Sequence, residues 1–130
     1  MRDLEAEVGE AFMKETMDAW SISRTLQALN ETEAGNGLFA MSEVLRADLQ
    51  RWHCEDDYHP DKYSIAALPL IEARNTLTET TIDYAEKLTD STGEVANMLR
   101  RQVLGCLEEF KRLTDKVHKT LWPYYVFPAN

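Results

Sequence analysis

The last third of the chain repeats apolar side chains at a spacing that constrains the fold more than any other feature of the sequence. Seven positions follow one another at intervals of four and three residues: Leu99, Val103, Cys106, Phe110, Leu113, Val117 and Thr120. This spacing places all seven on one face of an α-helix, as in the seam of a coiled coil. Before it, Ser91-Thr-Gly-Glu94 matches a capping box, and Trp122-Pro123 ends the pattern. The sequence therefore predicts a helix of about six turns that packs along one face.

Three earlier segments also have helical periodicity, and clustered glycines and prolines separate them. The first runs from about Asp3 to Asn30, and its apolar residues are Leu4, Val8, Ala11, Phe12, Met13, Met17, Trp20, Leu26 and Leu29. After it, Gly35 and Gly37 predict a turn. The second segment, Leu38 to Trp52, places Leu38, Met41, Leu45, Leu49 and Trp52 on one stripe. Both segments are predicted helices.

The third segment contains a proline, which complicates an otherwise helical pattern. Its apolar positions are Ile65, Leu68, Ile71, Leu77, Ile82, Tyr84, Ala85 and Leu88, and Pro69 lies among them. Proline removes one backbone hydrogen bond and clashes with the preceding turn, at about 3 kcal/mol in a helix interior. We expect either a short turn at 61–67 followed by a helix over 69–89, or one kinked helix.

Four helices joined by short loops predict an all-α protein, an antiparallel up-down-up-down four-helix bundle. The bundle forms a single domain over residues 1–121. A short aromatic tail over 122–130 packs on the bundle or on a partner chain.

Composition narrows the classes of function. The net charge of −9 argues against binding to nucleic acid, which depends on clustered lysine and arginine. No apolar run reaches the roughly 18–20 residues that span a bilayer, and the acidic N-terminus does not resemble a signal peptide. We expect a cytoplasmic protein without membrane contact, with its two cysteines, Cys54 and Cys106, reduced.

The stretch QRWHCEDDYHP, residues 50–60, holds the residue types of a metal site. Its candidate ligands are His53, Cys54 and His59, but their spacing fits no common zinc pattern. We interpret the stretch as a solvated loop. A second possibility, a di-iron pair formed by Asp115 and His118, is disfavoured because both residues are expected to face solvent, away from the helical seam. We predict no cofactor.

No motif points to catalysis. The glycines form no phosphate-binding loop, and Cys106 lies in an apolar seam without an adjacent base. The C-terminal aromatic residues must be covered, either by their own bundle or by another chain. Candidate interaction residues are Phe12, Trp20, Trp122, Tyr124, Tyr125 and Phe127. The sequence thus favours a non-enzymatic interaction or regulatory protein that forms a homodimer; the alternative is a sensor or carrier that binds a small apolar ligand or a metal ion between its helices.

Overall fold

The computed structural model describes residues 3–13, 16–54 and 61–124 of the 130-residue chain. These residues form helices and no strands, which confirms the all-α prediction. The helices are α1 (Leu4–Met13), α2 (Thr16–Ala28), α3 (Thr32–Cys54), α4 (Asp61–Thr89) and α5 (Gly93–Leu121). They pack side by side as a bundle. The most extensive contacts join α4 to α5 and α2 to α3.

The core consists of two apolar clusters stacked along the bundle. The first contains residues of α2 to α5 near the α2–α3 and α4–α5 connections, and includes Leu26, Leu38, Leu45, Leu99, Val103 and Phe110. The second brings α1 together with the other ends of α3, α4 and α5, and includes Val8, Phe12, Trp52, Ile71, Val117 and Trp122. Helices α3 and α5 run in the same direction, since Gly37 lies against Leu107 and Asp48 against His118.

The first predicted helix is two helices in the structure, because α1 ends at Met13 and α2 begins at Thr16. The apolar face expected across this segment is only partly buried. Val8, Phe12 and Leu26 are in the core, whereas Met13, Trp20 and Leu29 are exposed; the side chain of Met17 lies outside the described residues. Small residues, Ala19 and Ser23, take the buried positions of α2 instead.

The chain turns after α2 at Asn30, not at the glycines that follow. Asn30 adopts a positive φ of 64°, which asparagine tolerates better than most residues. The N–H of Glu31 donates to the carbonyl of Leu26 (2.9 Å), and the N–H of Asn30 donates to that of Gln27 (3.1 Å). This pair of bonds is a Schellman motif, which satisfies the last carbonyls of α2.

The turn predicted at Gly35 and Gly37 is wrong, since both glycines lie inside the first turns of α3. Their role is close helix packing. A Cβ at Gly35 would come within 3.2 Å of the backbone oxygen of Ser23, and one at Gly37 would lie 2.5 Å from Leu107 Cδ1. Glycine here allows α2 and α5 to approach the backbone of α3.

Helix α4 runs without interruption through Pro69, which supports the single-helix alternative and excludes the turn at 61–67. Pro69 lies on the exposed side of α4, as does Ile65, whose carbonyl loses its helical partner to the proline ring. On that side water can satisfy the carbonyl. Ile65 was expected in the core, and its exposure corrects that prediction.

Helix α5 follows the predicted seam with a shift of one residue in three places. Leu99, Val103, Phe110 and Val117 are buried as expected, but Leu107, Thr114 and Leu121 are buried in place of the half-buried Cys106, Leu113 and Thr120. The capping box is not formed. Thr92 is the N-cap residue and makes no side-chain capping bond, while the hydroxyl of Ser91 donates to the carbonyl of Lys87 (2.7 Å).

An ion pair closes the end of the bundle near the first cluster. The Arg100 guanidinium donates to both carboxylate oxygens of Glu31, at 2.7 and 2.5 Å. These hydrogen bonds hold the pKa of the Glu31 carboxyl below its usual value. A carboxyl with a lowered pKa in the folded state stabilises the fold above its unfolded pKa of about 4.3 and loses that contribution as pH falls through the lowered pKa.

We therefore expect Glu31→Gln to destabilise the protein by about 1 kcal/mol or less at pH 7, because the pair is only partly shielded from water. The difference between Glu31→Gln and the wild type should shrink as pH falls below about 4. Urea unfolding measured from pH 7 to pH 3 tests this. Glu86→Gln, at an exposed position of α4, is the control and should show no such pH-dependent gap. A gap that stays constant down to pH 3 would contradict the assignment.

Candidate functional site

A fully buried arginine occupies the boundary between the two apolar clusters. Arg74 lies on the inward face of α4, three residues after Ile71 and four before Thr78, and its relative exposure is 0%. Helical spacing leaves its side chain no route to solvent at this position. Buried arginine is rare unless it is paired, so its partners identify the site.

Three polar side chains from α3 and α5 meet Arg74. Its Nη1 donates to Asp48 Oδ2 (2.7 Å) and to Thr114 Oγ1 (3.1 Å). The second oxygen of Asp48 lies 2.8 Å from Nε2 of His118. Asp48 is thus shared between two cationic or potentially cationic groups. We call Asp48, Arg74, Thr114 and His118 the buried polar network.

The position of His118 corrects the expectation that it faces solvent. Its side chain is 16% exposed and reaches across to Asp48 on α3, whereas Asp115 is exposed and pairs with Lys119 on its own helix. The angle from the seam was estimated from Leu113 and Val117, but the buried face of α5 is shifted toward Thr114. This shift brings His118 to the edge of the interface with α3. Asp115 and His118 therefore do not act together.

Aromatic rings enclose the guanidinium of Arg74. Its Cζ lies 5.8 Å from the ring centroid of Phe12, in the second cluster, and 5.4 Å from that of Phe110, in the first. Phe12 is stacked in turn on Trp122, with centroids 5.9 Å apart and an interplanar angle of 9°. Cation–π contacts of this kind favour a desolvated cation. Arg74 therefore joins the two clusters.

Part of the guanidinium of Arg74 has no hydrogen-bond acceptor. Its Nε and Nη2 are buried and bond to none of the residues that the structure describes. An unsatisfied buried donor costs about 1–3 kcal/mol, more for a charged group, so native proteins rarely retain one without a reason. This free edge of Arg74 is the most unusual feature of the buried polar network.

The sequence contained a signal for this network that the predictions missed. Asp48 lies between Leu45 and Trp52 at helical spacing, on the stripe identified for α3. Arg74 and Thr114 likewise follow buried apolar residues, at three and four positions. Three polar residues at apolar-face positions on three helices, two of opposite charge, indicate a polar layer in a bundle core.

The predicted metal candidates are not brought together in the described residues. His53 is exposed near the end of α3; the side chain of Cys54 and residue His59 lie outside the described residues. Within 3–13, 16–54 and 61–124, no three histidine, cysteine or acidic side chains are placed to hold a metal ion. Over the same residues, no helix is long and apolar enough to cross a membrane.

The predicted interaction residues occupy contrasting environments. Phe12 and Trp122 are buried within the chain, so the start of the aromatic tail packs on its own bundle. Trp20 is 48% exposed, with the Arg24 guanidinium 5.9 Å from its ring. Tyr124 is 86% exposed, although its hydroxyl lies 2.9 Å from that of Tyr63. Tyr125 and Phe127 lie outside the described residues.

The outward side of α5 is a further exposed apolar surface, which the predictions did not include. Val95 is 53% and Met98 47% exposed, and Gln102 and Gly105 continue the same line at intervals of four and three residues. No other atom lies within 4 Å of the position that a Cβ would take at Gly105. We call Val95, Met98, Gln102 and Gly105 the outer stripe. After it, Glu108 and Glu109 form ion pairs along the helix with Lys111 and Arg112.

Comparison of this chain with protein-family models, with curated proteins and with solved structures found no match.

Proposed function

We propose that this chain is a non-enzymatic interaction protein, and that its contact surface is the outer stripe of α5. The exposure of Val95 and Met98 carries this proposal. A four-helix arrangement of up-down-up-down topology, with α1 and α2 together as its first member, gives every helix one buried face and one free face. On α5 the free face is apolar over its first half, where solvent-facing residues of a bundle are ordinarily charged.

A second copy of this chain is the partner that best fits the stripe. In an antiparallel pairing with its axis near Arg100, Val95 of one copy faces Gly105 of the other. Met98 then faces Gln102 of the other copy. The open surface over Gly105 receives the Val95 side chain, as a knob enters a hole. Such a pairing is self-complementary, as a two-fold interface requires.

Charge supports the choice of α5 as the contact. The whole chain carries −9, so two copies repel each other on average. Residues 91–130 contain 4 acidic and 6 basic side chains, whereas residues 1–33 contain 8 acidic and 3 basic ones. Two copies therefore meet with the least repulsion along α5. The stripe is about three turns long and buries less than the roughly 1,200 Å² of a standard interface, so the dimer is weak and reversible.

Sedimentation equilibrium over a range of concentrations tests the proposal. We expect a monomer–dimer equilibrium with a dissociation constant in the micromolar range or weaker. Met98→Glu should shift it to monomer, because it adds two negative charges near the two-fold axis. The matched control is Ile65→Glu, at an equally exposed isoleucine of α4, which should leave the equilibrium unchanged.

Gly105→Ala gives a second, opposite-signed readout. Alanine in an exposed helix interior should stabilise the monomer by up to about 1 kcal/mol, since the site is open. Gly105→Leu fills the surface that would receive Val95 and should weaken the dimer. An intact protein that remains monomeric at high concentration, or a dimer indifferent to Met98→Glu, would refute the outer stripe as the interface.

A further inference from the structure

The free edge of Arg74 has the geometry of a carboxylate-binding group. Its Nη1 is engaged by Asp48 and Thr114, which leaves Nε and Nη2 on the adjacent edge of the guanidinium. Two neighbouring N–H groups on one edge of arginine match the two oxygens of a carboxylate. No described carboxylate takes that position, since the two oxygens of Asp48 are used by Nη1 and by His118.

Helix α1 covers this side of the bundle with few attachments. It is ten residues long, and its buried residues are Val8, Gly9 and Phe12. Asn75, next to Arg74 in the chain, donates from Nδ2 to the carbonyl of Ala11 (2.7 Å). A helix of this length is marginal by itself, so its position depends on these contacts. Of the five helices, α1 is the one whose displacement exposes the least core.

The ring of Phe12 occupies the place that a ligand would take. It lies over Arg74, stacks on Trp122 and contacts Trp52, with 6.0 Å between the last two centroids. An aromatic ring in the same place would keep the stacking on Trp122. A carboxylate attached to that ring would supply the two acceptors that Nε and Nη2 lack. The acidic side chains of α1, Glu5, Glu7 and Glu10, would move away from the entering anion.

We propose that Arg74 is the anchor of a binding site for a small aromatic carboxylic acid, which α1 covers through Phe12 and which the ligand occupies by displacing that ring. The site lies between the two apolar clusters, apart from the outer stripe of α5. It therefore goes beyond the proposed dimerisation and does not depend on it.

Benzoate is the probe, and benzamide, a neutral molecule of the same shape, is its control. Titration calorimetry and tryptophan fluorescence on the full chain should show saturable binding of benzoate and none of benzamide. Phe12→Ala removes the competing ring, so the binding-competent state becomes more populated and the affinity for benzoate should rise about tenfold or more. Asn75→Ala, which releases Ala11 and leaves the aromatic residues in place, should also raise it. Phe39→Ala, at an exposed position of α3, should leave the affinity unchanged.

The Nε–H resonance of Arg74, observed by NMR, reports on the site directly. It should shift in saturable fashion as benzoate is added to Phe12→Ala, and stay in place with benzamide. Circular dichroism on each variant establishes that it is folded before titration. The proposal is overturned if folded Phe12→Ala fails to bind benzoate at millimolar concentration. It is overturned equally if benzamide binds as well, or if the Arg74 resonance does not move.

Discussion

Asp48→Ala is expected to lower the free energy of unfolding by about 3–5 kcal/mol. Removing Asp48 leaves the guanidinium of Arg74 fully buried, with Thr114 as its one remaining hydrogen-bond partner among the described residues. The loss reflects an uncompensated buried charge more than the attraction that the pair contributes. Urea unfolding of the variant and the wild type at pH 7 measures it.

The double variant Asp48→Leu/Arg74→Leu separates these two effects. Replacing a buried ion pair by apolar residues is often close to neutral, so the double variant should be much more stable than Asp48→Ala. Asp83→Ala is the surface control, because Asp83 pairs with Lys87 in an exposed i,i+4 bridge. Its effect should stay within about 1 kcal/mol. If Asp48→Ala were as mild as this control, Arg74 would reach solvent and the buried polar network would be wrong.

The sequence predicted those parts of the fold that depend on regular apolar spacing. The stripe Leu38, Met41, Leu45 and Trp52 is buried, and the seam of α5 is buried at most of its expected positions. Such faces are legible because a helix repeats every 3.6 residues and its core side chains must be apolar. The all-α class follows from these segments alone.

The errors occurred where tertiary packing overrides a local preference. Gly35 and Gly37 are common turn residues, yet here they lie where neighbouring helices approach α3 closely. Ser91 and Glu94 match a capping box, but the serine hydroxyl bonds back to the preceding helix. Pro69 is tolerated in α4 because its side faces water. None of these outcomes can be read from spacing.

The candidate site was missed for a related reason. A search for chemical motifs looks for polar residues that are close in sequence, as in residues 50–60. The buried polar network instead joins α3, α4 and α5 through residues 26, 40 and 70 positions apart. Each of its members lies singly on an otherwise apolar face. Only the pairing of helices reveals that Asp48 and Arg74 meet.

Trp122→Ala is expected to destabilise the protein by about 3–5 kcal/mol, as the truncation of a buried aromatic residue does. Trp122 stacks on Phe12, lies against His118 at 5.9 Å between ring centroids, and has the Arg51 guanidinium 5.8 Å from its ring. The residue therefore connects the end of α5 to α1 and α3. Its loss leaves a cavity beside Phe12 that these helices cannot easily close.

Tyr124→Ala is the matched control, since it removes an aromatic residue of the same segment that is 86% exposed. Its cost should stay below about 1 kcal/mol, because only the hydroxyl bond to Tyr63 and a surface ring contact are lost. Thermal and urea unfolding measure both variants, and sedimentation reports their mass. A destabilised Trp122→Ala whose mass distribution is unchanged would mean that the start of the tail serves its own bundle. A loss of dimer in Trp122→Ala at unchanged monomer stability would instead place Trp122 in an interface between chains, against its burial on Phe12.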